Sequence, residues 1–283
     1  MASKNYRRKP IAKRKSNTSS KWIFYLISFV LLLFVAIGIY KFRDGFLYYL
    51  GFKTDKNVET LSKEERKLAD IRIYEVLHKH DEKAIGFDVS EYQSEIDWEQ
   101  TYHIDESFEL SFVFIRATAG KNKVDSRFKE NWKASKEREL IRGAYHYYRP
   151  NENSIEQAEN FIKTVKLQKG DLPPVLDIEK LPKSQSIDSL KVGLRRWLKK
   201  VEKHYKVKPI IYSGESYYTD FLKKEFSEYP LWIANYNFWR NDLEDDWQFW
   251  QFTEKAQIQG IEGMVDVNIF NGDKNKLLLK CIR

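Results

Sequence analysis

The chain has 283 residues, eight tryptophans, seventeen tyrosines, a single cysteine and a formal charge of +8. One cysteine excludes an intrachain disulfide framework, and five histidines without ligand spacing argue against a structural metal. The positive excess sits in residues 1–21, where Lys4, Arg7, Arg8, Lys9, Lys13, Arg14, Lys15 and Lys21 face no acid; removing those eight from 49 leaves 41 basic against 41 acidic groups, so no basic nucleic-acid surface is expected.

Taken in order, residues 1–21 read as a basic cytoplasmic tail. Trp22 to Tyr40 is nineteen residues without a charge, close to the roughly 20 needed to span a bilayer, and it carries aromatic residues at both ends. The preceding positive charge predicts an N-terminus held inside and the rest of the chain outside. A cleaved signal peptide is the competing reading, but no small-residue cleavage site follows Ile39. The expectation is therefore a single-pass signal anchor in a cytoplasmic membrane, with a lipid bilayer as partner.

Residues 41–80 read as a connector. Leu61 to His80 has a ragged apolar face of helical period, either a stalk or a helix packed on the domain C-terminal to it. His78 and His80 read as solvent-facing.

From residue 81 to 283 the pattern becomes strand, helix, strand. Predicted strands are 84–89, 111–117, 141–148, 173–178, 208–212, 230–235, 246–252 and 264–267. Ser154 with Gln157 reads as a capping box ahead of one helix, Asp188 to Tyr205 as an amphipathic helix, and Ser216 as the cap of a short one. Eight strands in about 200 residues predict an α/β fold, a flattened and irregular (β/α) TIM-like barrel. The last strands come too close together for full helices between them, which favours late antiparallel pairing.

The strand ends carry the chemistry. Leu172-Pro-Pro-Val-Leu-Asp-Ile-Glu179 is a short buried strand with two carboxylates at its exit. Period two places Asp177 and Glu179 on one side. Paired carboxylates are the equipment for glycosidic cleavage, although a surface Asp and Glu ending a strand remains an alternative. Asp88, Arg116, Tyr145, Tyr147, Tyr212, Asn235, Gln251, Asp266 and Asn268 stand near the ends of other strands. In a barrel such ends converge on one mouth, which would gather Asp88, Asp177, Glu179 and Asp266. Asp88 could instead cap a turn and Asp266 bond to backbone, and His146 reads as a hydrogen-bonded strand residue.

These motifs, in this order, are similar to those of the glycoside hydrolase family 25 lysozymes, the Chalaropsis-type N-acetylmuramidases. The matching runs are Gly86-Phe-Asp-Val-Ser90, Phe114-Ile-Arg-Ala-Thr118, Arg142-Gly-Ala-Tyr-His-Tyr147, Pro174-Val-Leu-Asp-Ile-Glu179, Ile211-Tyr-Ser213, Leu231-Trp-Ile-Ala234, Trp250-Gln-Phe252 and Val265-Asp-Val-Asn268. The resemblance implies cleavage of the β-1,4 bond between N-acetylmuramic acid and N-acetylglucosamine in peptidoglycan. It implies Glu179 as general acid, Asp177 assisting the substrate acetamido group, and Asp88 and Asp266 beside them. Retention is the expected outcome, with inversion open. Tyr145, Tyr147, Tyr212, Trp250, Arg116 and Asn235 are the candidate substrate-binding residues. No metal, cofactor or obligate protein partner is predicted. Where the family commonly has a glutamate after the Ala-Thr pair, this chain has Ala119, which removes a carboxylate from the rim. A wall-binding protein without catalysis and a glycosidase for another N-acetylated polysaccharide such as chitin are the rival readings.

Overall fold

The computed structural model describes residues 18–41 and 61–283, with side chains from Trp22 to Leu33 and from Leu61 onward. The chain divides into two compact units, Met1–Thr54 and Asp55–Arg283.

Among the described residues of the first unit, one helix, α1 (Thr18–Lys41), covers the whole charge-free run. Its large apolar side chains from Trp22 to Leu33 are all exposed. Side chains 34–40, the second part of the predicted anchor, lie outside the described residues, and among the described residues no helix is long and apolar enough to cross a membrane.

The second unit begins with α2 (Lys63–Lys79), the predicted helix of the connector. Ser62 and Glu65 close its N-terminus reciprocally, Ser62 Oγ accepting from Glu65 N–H at 3.2 Å and Glu65 Oε2 from Ser62 N–H at 3.0 Å. Ile73, Val76 and Leu77 are buried in the shell of the barrel, each contributing about 1.5–3 kcal/mol by area. The helix is therefore part of the barrel's coat. His80 is a correction to the sequence reading: it is buried, edge-on to Trp250, with Nε2 2.9 Å from Asn241 O. Its cover comes from a loop 161 residues further along the chain, which local charge density does not foretell.

The barrel is built from β1 (Ile85–Val89), β3 (Phe108–Ala119), β5 (Ile141–Tyr147), β6 (Val175–Asp177), β7 (Ile210–Gly214), β8 (Leu231–Ala234), β9 (Phe249–Ala256) and β10 (Val265–Phe270). They pair in that order, and β10 returns to β1 to close the ring. Two short strands, β2 (His103–Ile104) and β4 (Lys123–Val124), append to β3. Seven strands run parallel. Only β10 is reversed, antiparallel to both β9 and β1. A regular eightfold barrel would have every strand parallel and followed by a helix. Here α3 (Phe128–Glu137), α4 (Ser154–Thr164), α5 (Ile187–Tyr205) and the broken α6 (Glu215–Tyr217, a π turn Tyr218–Leu222, and Lys223–Phe226) serve the earlier crossovers, while no helix separates β8, β9 and β10. This is a closed mixed α/β barrel.

Helix starts differ in detail from the sequence reading. Asn153, not Ser154, caps α4 by accepting from Ile155 and Glu156 N–H. The α6 segment starts at Glu215 after Gly214, with no side-chain cap.

Alternation sorts the strands into two faces. Inward go Phe112, Phe114, Val175, Ile210, Trp232 and Phe249; outward go Val113, Ile115, Leu176, Ile211, Ile233 and Trp250. Phe114 of β3 stacks on Trp232 of β8 with centroids 4.3 Å apart, although those strands are not neighbours. The interior is thus filled, and the two walls approach closely. Gly86 and Gly143 make room: a Cβ on either would lie 2.5 Å from ring atoms of Phe112 or Phe114. Beneath, Leu277 of α7 (Lys274–Leu278) and Cys281 close the floor, and Ile282 exchanges backbone hydrogen bonds with Gly170 and Asp171 at 2.9 Å.

Candidate active site

The polar mouth lies at the C-terminal ends of the parallel strands. Asp88 ends β1 and is nearly buried. Its Oδ2 accepts from Gln251 Nε2 at 2.7 Å and from Asn268 Nδ2 at 2.8 Å. Asn268 Oδ1 in turn accepts from Trp232 Nε1 at 2.8 Å. Gln251 Oε1 accepts from Tyr212 Oη at 2.7 Å and from Tyr236 Oη. One network therefore ties β1, β7, β8, β9 and β10 around a single carboxylate.

Asp266 arrives by a different route from the one expected. It is near the start of its strand, not the end; because β10 is reversed, its start is at the mouth. Asp266 is the cross-strand partner of Asp88.

Asp177 ends β6, buried, in register between Tyr147 of β5 and Tyr212 of β7. Tyr145 reports the convergence electrostatically. Burial pushes its phenol well above the usual range, Asp88 adds to this, Arg116 opposes it, and Asp177 and Asp266 raise it further. Three aspartates on three strands thus act on one hydroxyl, which stays protonated and able to donate.

Glu179 stands two residues past Asp177, half-buried on the loop leaving β6. Its neighbours on both sides are fixed. Ile178 N–H donates to Tyr212 O at 3.0 Å, and Ile178 O accepts from Ser213 Oγ at 2.7 Å. Lys180 O accepts from Tyr217 Oη at 3.0 Å. Lys180 Nζ lies 5.8 Å from the Tyr147 ring. Glu179 is therefore carried on a loop whose backbone is held on both sides.

The remaining predicted residues separate. Trp250 is a correction. It is fully buried on the outer face of β9, against His80 and Phe252, with Nε1 donating to Asn235 O at 2.9 Å. Its neighbour Gln251 points inward, and alternation allows only one of the two to do so. Arg116 spends Nε on Asp125 at 2.8 Å and Nη2 on Glu91 at 2.9 Å, and its guanidinium lies 4.6 Å from the Tyr92 ring centroid. It locks the turn after β1 to β3. Burial would raise the Glu91 carboxyl, but hydrogen bonds from Ser126 N–H, Lys123 and Ser126 Oγ, with the charge of Arg116, bring it down to about 2. Asn235 donates Nδ2 to Glu215, which also pairs with Arg240 at 3.2 Å. Ala119 ends β3 opposite Tyr147 and Lys123.

His146 points away from the mouth into the helical coat, stacked on Trp197 at 5.5 Å. Gln157 donates Nε2 to the Arg149 and Glu152 carbonyls, so its Oε1 is the atom facing His146 Nε2 at 3.1 Å. Nε2 therefore carries the proton, and Nδ1 accepts from Thr118 Oγ1 at 2.7 Å. Burial lowers this imidazole to about 3.

The candidate binding residues named from sequence stop short of Gln251, Asn268, Tyr236, Trp232 and Glu215. Gln251 and Asn268 are visible in the sequence as polar residues inside apolar strands, a pattern that signals an inward hydrogen-bonded group. No trio of His, Cys, Asp or Glu among the described residues is arranged to hold a metal ion.

Known proteins resemble this chain in sequence and in fold. Residues 87–261 match the profile of the glycosyl hydrolases family 25. The chain is 44% identical over 194 residues to YegX of Escherichia coli K12, an uncharacterised protein, covering 68% of this chain and 71% of that one. It is 32% identical over 208 residues to lysozyme M1 of Streptomyces globisporus, covering 68% and 69%. Among solved structures, the lysozyme of Streptomyces coelicolor superposes with a TM-score of 0.63 at 28% identity, over 70% of this chain and 97% of that one. The chain belongs to glycosyl hydrolase family 25 and is a glycoside hydrolase of the lysozyme kind.

Proposed function

We propose that the chain cleaves the β-1,4 bond from N-acetylmuramic acid to N-acetylglucosamine in peptidoglycan, with Glu179 as general acid. The observation that carries this reading is the exit of β6. It presents Asp177 to the phenol of Tyr145 beside Asp88 and Asp266, with Glu179 on the fixed loop just beyond. In the first step Glu179 gives its proton to the glycosidic oxygen as the C1–O bond breaks. The carbonyl oxygen of the 2-acetamido group attacks C1 and forms a cyclic oxazolinium, whose N–H is held by Asp177. In the second step Glu179, now a carboxylate, takes a proton from water, which attacks C1 and reopens the ring. Two displacements at C1 give retention, and the nucleophile belongs to the substrate, as in the substrate-assisted exceptions to the two-carboxylate scheme. Asp88 and Asp266 supply negative potential that favours the cationic intermediate.

The test is digestion of purified peptidoglycan by the full chain, with product ends identified by mass spectrometry after reduction. New reducing N-acetylmuramic acid ends, lost in Glu179→Gln, are expected. Proton NMR of the nascent anomer reads retention directly. Absence of turnover on several peptidoglycan types sinks the reading, and cleavage of chitin oligomers instead moves it to another N-acetylated glycan.

The same proposal includes a membrane anchor. A helix apolar all round needs burial on every side, and the exposed side chains of α1 from Trp22 to Leu33 have that character. Eight preceding cations orient the tail inward and the catalytic barrel outside the cytoplasmic membrane. Full-length chain should stay with membranes through alkaline extraction and leave them when residues 22–40 are deleted.

A further inference from the structure

The loop from β8 to β9, residues 235–248, opens on Asn235 and Tyr236, and its tip carries Phe238 and Trp239. The two rings meet edge to face at 5.2 Å, and Trp239 is 80% exposed. A single exposed apolar side chain is ordinary. The number of groups that fix this tip is not. Trp239 N–H donates to Asn237 Oδ1 at 3.0 Å, and Asn237 N–H to Asn235 Oδ1 at 2.8 Å. Arg240 joins Glu215 at 3.2 Å and Glu244 at 2.6 Å while lying over Trp247.

The other side of the loop is held by α2. Buried Arg72 donates Nη1 to Phe238 O at 2.6 Å, His80 Nε2 bonds to Asn241 O at 2.9 Å, and Lys79 pairs with Asp242 at 2.7 Å. Residues 63–80 lie before the stretch matched by the family profile. The brace on this loop therefore comes from outside the matched stretch.

We propose that Trp239 is a saccharide-stacking residue that receives the glycan strand beyond the cleavage site, and that α2 sets its position. The inference rests on the peptidoglycan-hydrolase reading for the identity of the strand. The occupant is argued from continuity with the mouth. Tyr236, three residues before Trp239, donates to Gln251, which holds Asp88. Three residues reach at most about 10 Å, the scale of a disaccharide, so a polymer leaving the acids toward Tyr236 comes within reach of the indole. A flat apolar face suits the C–H face of a pyranose. Fixing it in advance removes the ordering cost of binding.

The test is steady-state kinetics of the full chain in mild detergent on soluble glycan strands of graded length. Trp239→Ala is expected to raise KM about tenfold on long strands, the equivalent of one good aromatic contact, with kcat unchanged and no effect on the shortest strand cleaved. Trp239→Phe should stay within about threefold of wild type. Arg72→Met should raise KM in the same length-dependent way and add nothing to Trp239→Ala. A KM unchanged at every length overturns the proposal. So does a kcat loss equal at every length, or a Trp239-dependent binding to anionic lipid vesicles with KM unaffected. If wild type cleaves no glycan, the hydrolase reading fails, and the subsite is decided by fluorescence. A change on adding glycan strands that is present in wild type and absent in Trp239→Phe supports it, and no change in either overturns it.

Discussion

Asp88 and Asp266 stand directly opposite each other across the antiparallel seam that closes the barrel. Like charges in that position repel. Asp88 meets the cost by directing one oxygen at two amide donors, Gln251 and Asn268. Asp88→Asn removes the repulsion and the charge-assisted bonds together, so its effects on stability oppose each other. We expect kcat to fall at least about tenfold while Tm moves by only a few degrees. Release of reducing ends and a thermal melt check both, and an unchanged kcat would contradict the role given to Asp88.

Neighbours on β9 should fail in different ways. Gln251→Leu removes the acceptor that Tyr212 and Tyr236 share and one donor from Asp88. Each buried hydrogen bond so lost costs about 1–3 kcal/mol, and kcat should fall with stability. Trp250→Phe loses packing and the bond to Asn235 O on the far side of the strand. Stability should drop by about 1–3 kcal/mol and KM for glycan should not change. Urea unfolding beside kinetics separates the two.

Arg116→Met tests whether this arginine serves substrate or scaffold. Asp125 and Glu91 would lose the guanidinium, with Asp125 buried. Breaking such a pair costs about 3–5 kcal/mol. The expected result is a large loss of Tm with KM of the remaining folded enzyme near wild type; a rise in KM at unchanged Tm would instead make Arg116 a binding residue.

Acid should unfold the barrel in two overlapping stages. His146 is lowered to about 3 in the folded state, against about 6.5 when unfolded. Between those values the unfolded chain binds a proton that the native one refuses. Stability therefore falls with decreasing pH by up to about 1.4 kcal/mol per pH unit from this group. Glu91, lowered to about 2, contributes stability that is present above its unfolded value near 4.3 and is lost as pH falls toward 2. Urea melts from pH 7 to 3.5 should show the first stage. His146→Gln, able to keep both hydrogen bonds, should flatten it.

Much of the fold is legible in the sequence because strand patterns are local. All eight barrel strands are predicted within a few residues, and alternation puts Asp177, Tyr145 and Tyr147 on the inner face. The same rule, applied to Gln251, turns Trp250 outward; aromatic character alone points the other way, and parity wins. Asp266 reaches the mouth although an end-of-strand argument fails for a reversed strand, since direction is set by pairing with β1. Arg116 has its partner Asp125 nine residues on, across a turn. A register shift between Arg116 and Thr118 then turns Thr118 outward to His146. His80 is out of reach for a different reason, since the loop that buries it is placed by the whole ring. The short β2 and β4 and the helix α3 carry too little pattern of their own.

The seam between β1 and β10 also fixes when the enzyme can begin to work. Asp88 is made 163 and 180 residues before its amide donors Gln251 and Asn268, which come from the last two barrel strands, and the floor beneath them is finished by Leu277 and Cys281. An emerging chain holds Asp88, Asp177 and Glu179 long before the network that organises them exists. We therefore expect the hydrolase to be silent until its last two strands and closing helix have docked, a delay written into the order of its strands.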